Sequence, residues 1–252
     1  MQSSPPFSIN YGIKTGLNKA FIVGNETKEA LIREDPRSAD LLKPVVRGRD
    51  VQAYRVDWAG LWLIDTHNGY LDTARIDVAR FPGIKRHLAG FMPALRRRQD
   101  RGDTPYNLRS CAYYGEFEKP KLIWIELADR GRFALDRRRL FVEATAFMAT
   151  SSSADDLTWL CAVLNSAVAS WWVRTTAPTS GAGATRWKKV YVETLPLPTA
   201  SPAAAARVAT LVERAVRVCD AESQARLQVR IDREVATAYG LGRTELTLLK
   251  GT

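Results

Sequence analysis

The sequence is poor in the residues that most often perform chemistry. Its 252 residues include two histidines, His67 and His87, and three cysteines, Cys111, Cys161 and Cys219. An odd number of widely spaced cysteines builds no disulfide framework, so reduced, mostly buried thiols are expected. No Cys or His pair has metal-ligand spacing, and no structural zinc is expected. No apolar run approaches the roughly 20 residues of a membrane span. The opening "MQSSPPFSIN" lacks the basic start and apolar middle of a signal peptide. These absences predict a cytoplasmic protein with no membrane partner.

Catalytic motifs are equally scarce. "SGAGAT" (180–185) has neither the GxGxxG spacing of a dinucleotide loop nor the Gly-Lys-Ser/Thr ending of a P-loop. It also precedes an expected strand, whereas phosphate loops follow a strand and open a helix. The one Asp/Glu-x-Lys unit, Glu26-Thr27-Lys28, has no acidic residue before it, so a metal-dependent nuclease pattern is incomplete. Two histidines and no nucleophile elbow make a poor basis for a catalytic triad. "SPPF" (4–7) matches the Ser/Asn/Asp-Pro-Pro-aromatic motif of amino-methylating enzymes. In those enzymes the motif follows a strand, but only three residues precede it in this sequence, and coincidence is the better reading. Catalysis by this chain alone is not expected.

What the sequence has in excess is positive charge. Lys and Arg number 37 against 27 Asp and Glu, for a net +10 and a pI near 9.7. Such an excess suggests a polyanionic partner; a generally basic surface is the bland alternative. Hydrophobic residues make up 46% and charged residues 25%, as in ordinary folded proteins.

Patterning predicts strands at "AFIV" (20–23), "LLKPVV" (41–46) and "GLWLI" (60–64), with a short helix at "TKEALIRE" and a loop over 65–74. Ile84, Leu88, Phe91 and Leu95 recur at helical spacing, and Pro93 should kink or divide that helix. "KPKLIWIEL" (119–127) has the apolar density of a central strand, followed by strands at "RLFVEA" and "AFMAT". Residues 151–173 read as one helix, with Ser153 and Asp156 at capping-box spacing. Val190 to Leu195 read as a strand anchoring a basic loop to the sheet. Beyond Pro196 and Pro198 the chain turns Ala/Arg/Glu-rich. Ser201 is a natural N-cap and Pro202 a natural first helical residue. Two apolar stripes follow, Val208, Leu211, Val212, Ala215, Cys219 and then Leu227, Ile231, Val235, Tyr239, in one long helix or two stacked ones. The expected division is a recognition domain over 1–199 and a helical subdomain over 200–252.

The cations gather in four segments. Lys14 and Lys19 lie beside Gly12, Gly16 and Asn18, where glycines permit close backbone approach to a ligand. Arg47 and Arg49 flank Gly48 after a strand. Arg96, Arg97, Arg98 and Arg101 form the third, which is also readable as a solvated helix end. Thr185, Arg186, Trp187, Lys188 and Lys189 form the fourth, with Trp187 better read as packing than as base stacking. Lys and Arg suit phosphates, and Asn can pair with an adenine edge. The DNA-binding candidates are therefore Lys14, Asn18, Lys19, Arg47, Arg49, Arg96, Arg98, Arg101, Arg186, Lys188 and Lys189.

Eight segments in order, "YGIKTGLNKAFIV", "KPVVRGRDVQAY", "FPGIKRHLAGFMPALRRRQDRG", "YNLR", "FEKPKLIWIEL", "LCAVLNSAVASWW", "GAGATRWKKVYVETLPLP" and "IDREVATAYGL", resemble the TaqI-like C-terminal specificity domain. That domain is the target recognition domain of adenine-specific DNA methyltransferases and of fused type IIG restriction-modification enzymes. The resemblance implies an α+β fold: a small twisted, mostly antiparallel sheet with packed helices and a helical C-terminal segment. It implies double-stranded DNA and a methyltransferase domain or subunit as partners. It places S-adenosylmethionine in that separate domain, with no cofactor in this chain. It adds Thr15 and Thr185 to the candidate contacts, beside Lys14, Asn18, Arg47, Arg49, Arg186, Lys188 and Lys189. With no cofactor-binding glycine motif upstream, the chain reads as a domain of a larger enzyme or the product of a separate gene. Two rivals stay open: a methyltransferase remnant using "SPPF" with a partner, and a protein-interaction module docking through the C-terminal helix.

Overall fold

The computed structural model describes residues 7–179 and 183–251. Ser4, Pro5 and Pro6 of the "SPPF" match and residues 180–182 of "SGAGAT" lie outside them. Strand β1 (Phe7–Tyr11) leads to helix α1 (Asn18–Phe21), strand β2 (Ile22–Val23) and helix α2 (Asn25–Glu34). β3 (Leu42–Val46) and β4 (Trp62–Ile64) are followed by α3 (Pro82–Ala89) and α4 (Met92–Arg97). Next come β5 (Lys121–Ile125), β6 (Leu127–Ala128), β7 (Phe133–Asp136), β8 (Phe141–Val142) and β9 (Ala146–Ser151). The last part holds α5 (Ala154–Leu164), α6 (Ala167–Thr176), β10 (Thr185–Arg186), α7 (Lys189–Val192), α8 (Pro202–Arg217), α9 (Ala221–Ala238) and α10 (Arg243–Gly251).

The sheet β1-β9-β5-β7 is antiparallel throughout and is covered on both faces. Successive strand residues point to opposite faces. Leu122 and Trp124 therefore join Phe133, Phe147 and the helices α5, α8 and α9 in one core. Ile123, with Ala134, Ala146 and Met148, joins a second core built with Phe21, Val45, Leu63, Leu88 and Leu95. Double coverage is why "KLIWI" is apolar without alternation. The second core also contains the sheet β2-β4-β3-β8, antiparallel except for the parallel β3–β8 pair. The architecture is α+β, with small sheets, packed helices and a helical C-terminal part.

Local signals place several boundaries where the sequence puts them. Pro93 sits in the first turn of α4, and the helical stretch divides before it. Ser201 caps α8 and Pro202 is its first residue. Ser153 caps α5 through the Asp156 amide, but its own amide donates to Ser151 Oγ, so only half of the capping box forms. Apart from exposed Cys219 and half-buried Tyr239, the two apolar stripes are buried on α8 and α9 against α5, sharing the core of the central sheet.

Four expectations need correction. "AFIV" closes a helical turn before the strand: Ala20 and Phe21 are fully buried, and His87 Nε2 sits 2.9 Å from the Ala20 carbonyl oxygen. The 151–173 helix breaks at Asn165, whose side chain accepts from Phe133 N at 2.9 Å and donates to Phe133 O at 2.8 Å, pairing with β7 as a backbone amide would. Ser166 then caps α6. Residues 190–195 do not form a strand. Val192 and Leu195, three apart, reach the core from α7 and the turn after it, while Val190 is 58% exposed. Cys219 is exposed between α8 and α9, and Cys111 is half-buried, leaving Cys161 as the buried thiol.

Two of the buried acids are Asp136, on β7, and Asp65, just after β4. Asp136 pairs with Lys121 at 3.2 Å, both fully buried, with the ammonium also donating to Leu140 O. Asp65 is 2% exposed, and burial pushes its carboxyl from 3.8 up to about 6. A carboxyl raised in the folded state is more protonated there than in the unfolded chain. Its contribution to stability is therefore full below pH 3.8 and is lost as pH rises through about 6. Asp65→Asn removes this loss. From pH 4 to pH 8 the variant should gain on the parent by on the order of 3 kcal/mol, read from urea unfolding at the two pH values.

Candidate nucleic-acid interface

β1 ends at Tyr11, β5 ends at Ile125 and β9 begins at Ala146, and these ends are neighbours in the pairing: Tyr11 faces Phe147 and Ile125 faces Ala146. Loops carrying three of the four basic segments leave or meet the sheet at this end. The Gly12 backbone runs against Glu143, so a Cβ at Gly12 would lie 2.1 Å from the Glu143 carbonyl oxygen. Only glycine lets the Lys14 loop pass there. At Gly48 a Cβ would lie 2.9 Å from Thr145 O and 3.0 Å from Ile125 Cγ2. The Arg47–Arg49 turn is thereby seated on the end of β5.

Glu143, 5% exposed, ties the first two segments together. Its carboxylate accepts from Asn18 Nδ2 at 3.1 Å and from the Thr145 amide at 3.1 Å. Thr145 Oγ1 in turn accepts from Gly48 N at 2.9 Å. Arg98 ties in the third. Its guanidinium donates to the carbonyls of Thr15, Asp100, Pro105 and Asn107 and lies 4.5 Å over the Phe21 ring. Burial lowers its pKa to about 10, so it remains charged at neutral pH.

The fourth segment adjoins the same end through β6, which follows β5 and pairs with β10. Arg186 Nη1 lies 2.5 Å from Glu126 Oε1, and Lys188 Nζ 3.6 Å from the same oxygen. Lys189 Nζ donates to Ile9 O on β1 at 3.1 Å and sits 3.5 Å from Glu193. Trp187 is 1% exposed, and its carbonyl accepts from the Trp124 indole. It packs, as its sequence context favours.

Placement sorts the candidate residues. Lys14, Lys19, Arg49 and Arg96 are exposed and make no ion pair among the described residues. Arg47 pairs with Asp50 at 3.4 Å, and Arg101 is exposed but donates to the Arg96 carbonyl. Asn18 is exposed, with its side chain held by Thr15 and Glu143. Three residues are corrected. Arg98 is an interior cation, 7% exposed, whose two terminal nitrogens donate to backbone carbonyls. Thr15, 1% exposed, shapes its own loop by accepting from Leu17 N. Thr185, also 1% exposed, turns its side chain inward from β10.

Sequence reasoning passed over Tyr11, Arg109 and Tyr113. They surround a cleft of about 440 Å³ whose wall also includes Lys14 and Cys111. Arg109 lies within the quoted "YNLR", and the aromatic-basic run "RSCAYY" was the available signal. Among the described residues, no group of three His, Cys, Asp or Glu could hold a metal ion, and no helix is long and apolar enough to cross a membrane.

Residues 43–197 match the TaqI-like C-terminal specificity domain. No curated protein matches the sequence. Among solved structures the chain is similar to the type IIL restriction-modification enzyme MmeI, determined in complex with DNA. The TM-score is 0.72 at 15% identity, over 98% of this chain and 34% of that one. It is also similar to the type IIG restriction endonuclease BpuSI, with a TM-score of 0.50 at 10% identity, over 93% of this chain and 30% of that one. The chain spans about a third of the length of these enzymes, and at such identities the likeness is one of fold.

Proposed function

The chain belongs to the TaqI-like C-terminal specificity domain family, and from that premise we propose that it reads the DNA target for an N6-adenine methyltransferase of a restriction-modification system, with no catalytic groups of its own. One observation carries the reading: four basic segments far apart in sequence adjoin one end of the central sheet, the first three tied together through Glu143 and Arg98 and the fourth joined to the chain after β5 by the β6–β10 pairing and the Trp187 amide on the Glu126 carbonyl. Lys14, Lys19, Arg49 and Arg96 are the candidate cations ready for phosphate, with Lys14 and Arg49 in the glycine-flanked turns. Arg186 and Lys188 exchange the Glu126 carboxylate for phosphate when DNA arrives, and Lys189 does the same with Glu193. Phosphate contacts position the protein, and side chains of the glycine-flanked turns reach base edges. The methyltransferase that the domain serves binds S-adenosylmethionine and flips the adenine. Titrating S-adenosylmethionine into this chain should give no heat.

Most of the apolar stripe residues of α8 and α9 lie inside the core, which favours the DNA reading over a module docking through the C-terminal helix. Fluorescence anisotropy with labelled duplexes between 50 and 200 mM salt tests the DNA reading, those limits being the ~50–200 mM range over which phosphate contacts are read. Affinity should fall linearly with salt on logarithmic axes. Selection from a randomised duplex library should return a consensus site. Absence of binding at the low-salt end, or a flat selection, defeats the reading.

A further inference from the structure

The cleft beside β1 is built unlike the rest of the basic surface. Tyr11, the last residue of β1, is 52% exposed, with its ring 5.0 Å from Phe147 beneath. Tyr113, half-buried, also lines the cleft, with its ring 6.1 Å from Phe117. Lys14 stands at the cleft in no ion pair among the described residues, and Arg109 is held at 3.0 Å by Asp100 with half of its side chain in water. A large ring left in solvent, fixed on a paired strand and flanked by cations, matches how proteins hold single nucleotides: the base meets a π face and the backbone meets positive charge. At about 440 Å³ the cleft lies in the small-ligand range and is too small to admit a duplex.

We propose that this cleft takes one unpaired nucleotide of the bound DNA, with its base against Tyr11 and its phosphate between Lys14 and Arg109. The inference rests on the DNA reading above and narrows it to a part of the surface that recognises an unstacked base. Arg109 releases Asp100 for the phosphate. Tyr113 closes the inner wall, and its hydroxyl faces the Tyr11 backbone.

The test uses the intact chain and two labelled duplexes that differ by a single unpaired thymidine, compared by anisotropy at low salt. The parent should bind the bulged duplex roughly tenfold more tightly, the scale of one base–aromatic stack. Tyr11→Ala should abolish that preference while leaving the fully paired duplex within about threefold, because stacking on Tyr11 is confined to the unpaired base. Tyr11→Phe should restore it, which a merely destabilised fold would not. Equal binding of the two duplexes by the parent, or a preference that survives Tyr11→Ala, overturns the assignment and leaves the DNA reading standing. Failure to bind either duplex overturns the DNA reading and the assignment with it.

Discussion

Replacing Lys14 and Arg49 together by Glu should reduce duplex affinity on the order of a hundredfold near 0.1 M salt and lower the salt slope by about two, each phosphate contact adding roughly 0.9 to that slope. These two cations are exposed and uncompensated among the described residues, so DNA gains their full charge on binding. Arg186 differs: its guanidinium already lies 2.5 Å from Glu126, which Lys188 also approaches. A phosphate there displaces a carboxylate instead of filling an empty partner position, so Arg186→Ala should cost less than about tenfold. Glu126→Gln should then strengthen binding, because it releases both cations without removing either. Titrations across a salt series, with each variant's unfolding midpoint measured alongside, separate these effects from loss of fold. An Arg186→Ala loss as large as that of the double variant would place the main grip on the fourth segment instead.

The contrast shows what charge patterning carries in a sequence and what it omits. Runs such as "RWKK" and "RGR" are visible because cations cluster along the chain. The acids that meet them are visible only where they are near in sequence: Asp50 and Glu193 lie three and four positions from Arg47 and Lys189, but Glu126 is 60 positions from Arg186. The same limit governs the elements. Pro93, Ser201 and Pro202 fix boundaries through bonds within a few residues, and the apolar density of β5 announces a strand covered on both faces. The turn at α1, the break at Asn165 and the helical form of α7 are decided by partners elsewhere, namely the second core around α3, the edge of β7, and the core under Val192 and Leu195. Tyr11 escaped notice because an exposed aromatic at a strand end reads the same as a buried one until the sheet pairing is known.

Within "LRRRQDRG" nothing local distinguishes Arg98 from its neighbours, yet its removal should have the largest effect on stability. Arg98→Ala leaves the carbonyls of Thr15, Asp100, Pro105 and Asn107 without their shared donor, in a site only 7% exposed. Losing hydrogen bonds to a charged group, with buried acceptors left unpaired, costs on the order of 4 kcal/mol. In a domain of this size that lowers Tm by about 10 °C. Arg98→Lys should recover less than half of the loss. An ammonium has three donors and no planar fork, so it cannot satisfy four carbonyls set around a guanidinium. DNA affinity should fall as well, because Arg98 fastens the Lys14 loop to the 98–109 loop, and both carry cations of the proposed interface. The order of the two losses is diagnostic. A residue that contacts phosphate would lower the salt slope by about one at unchanged Tm. A residue that holds two loops together lowers Tm first and weakens binding as the loops separate. Thermal unfolding and anisotropy on the same Arg98→Ala sample should give the second pattern.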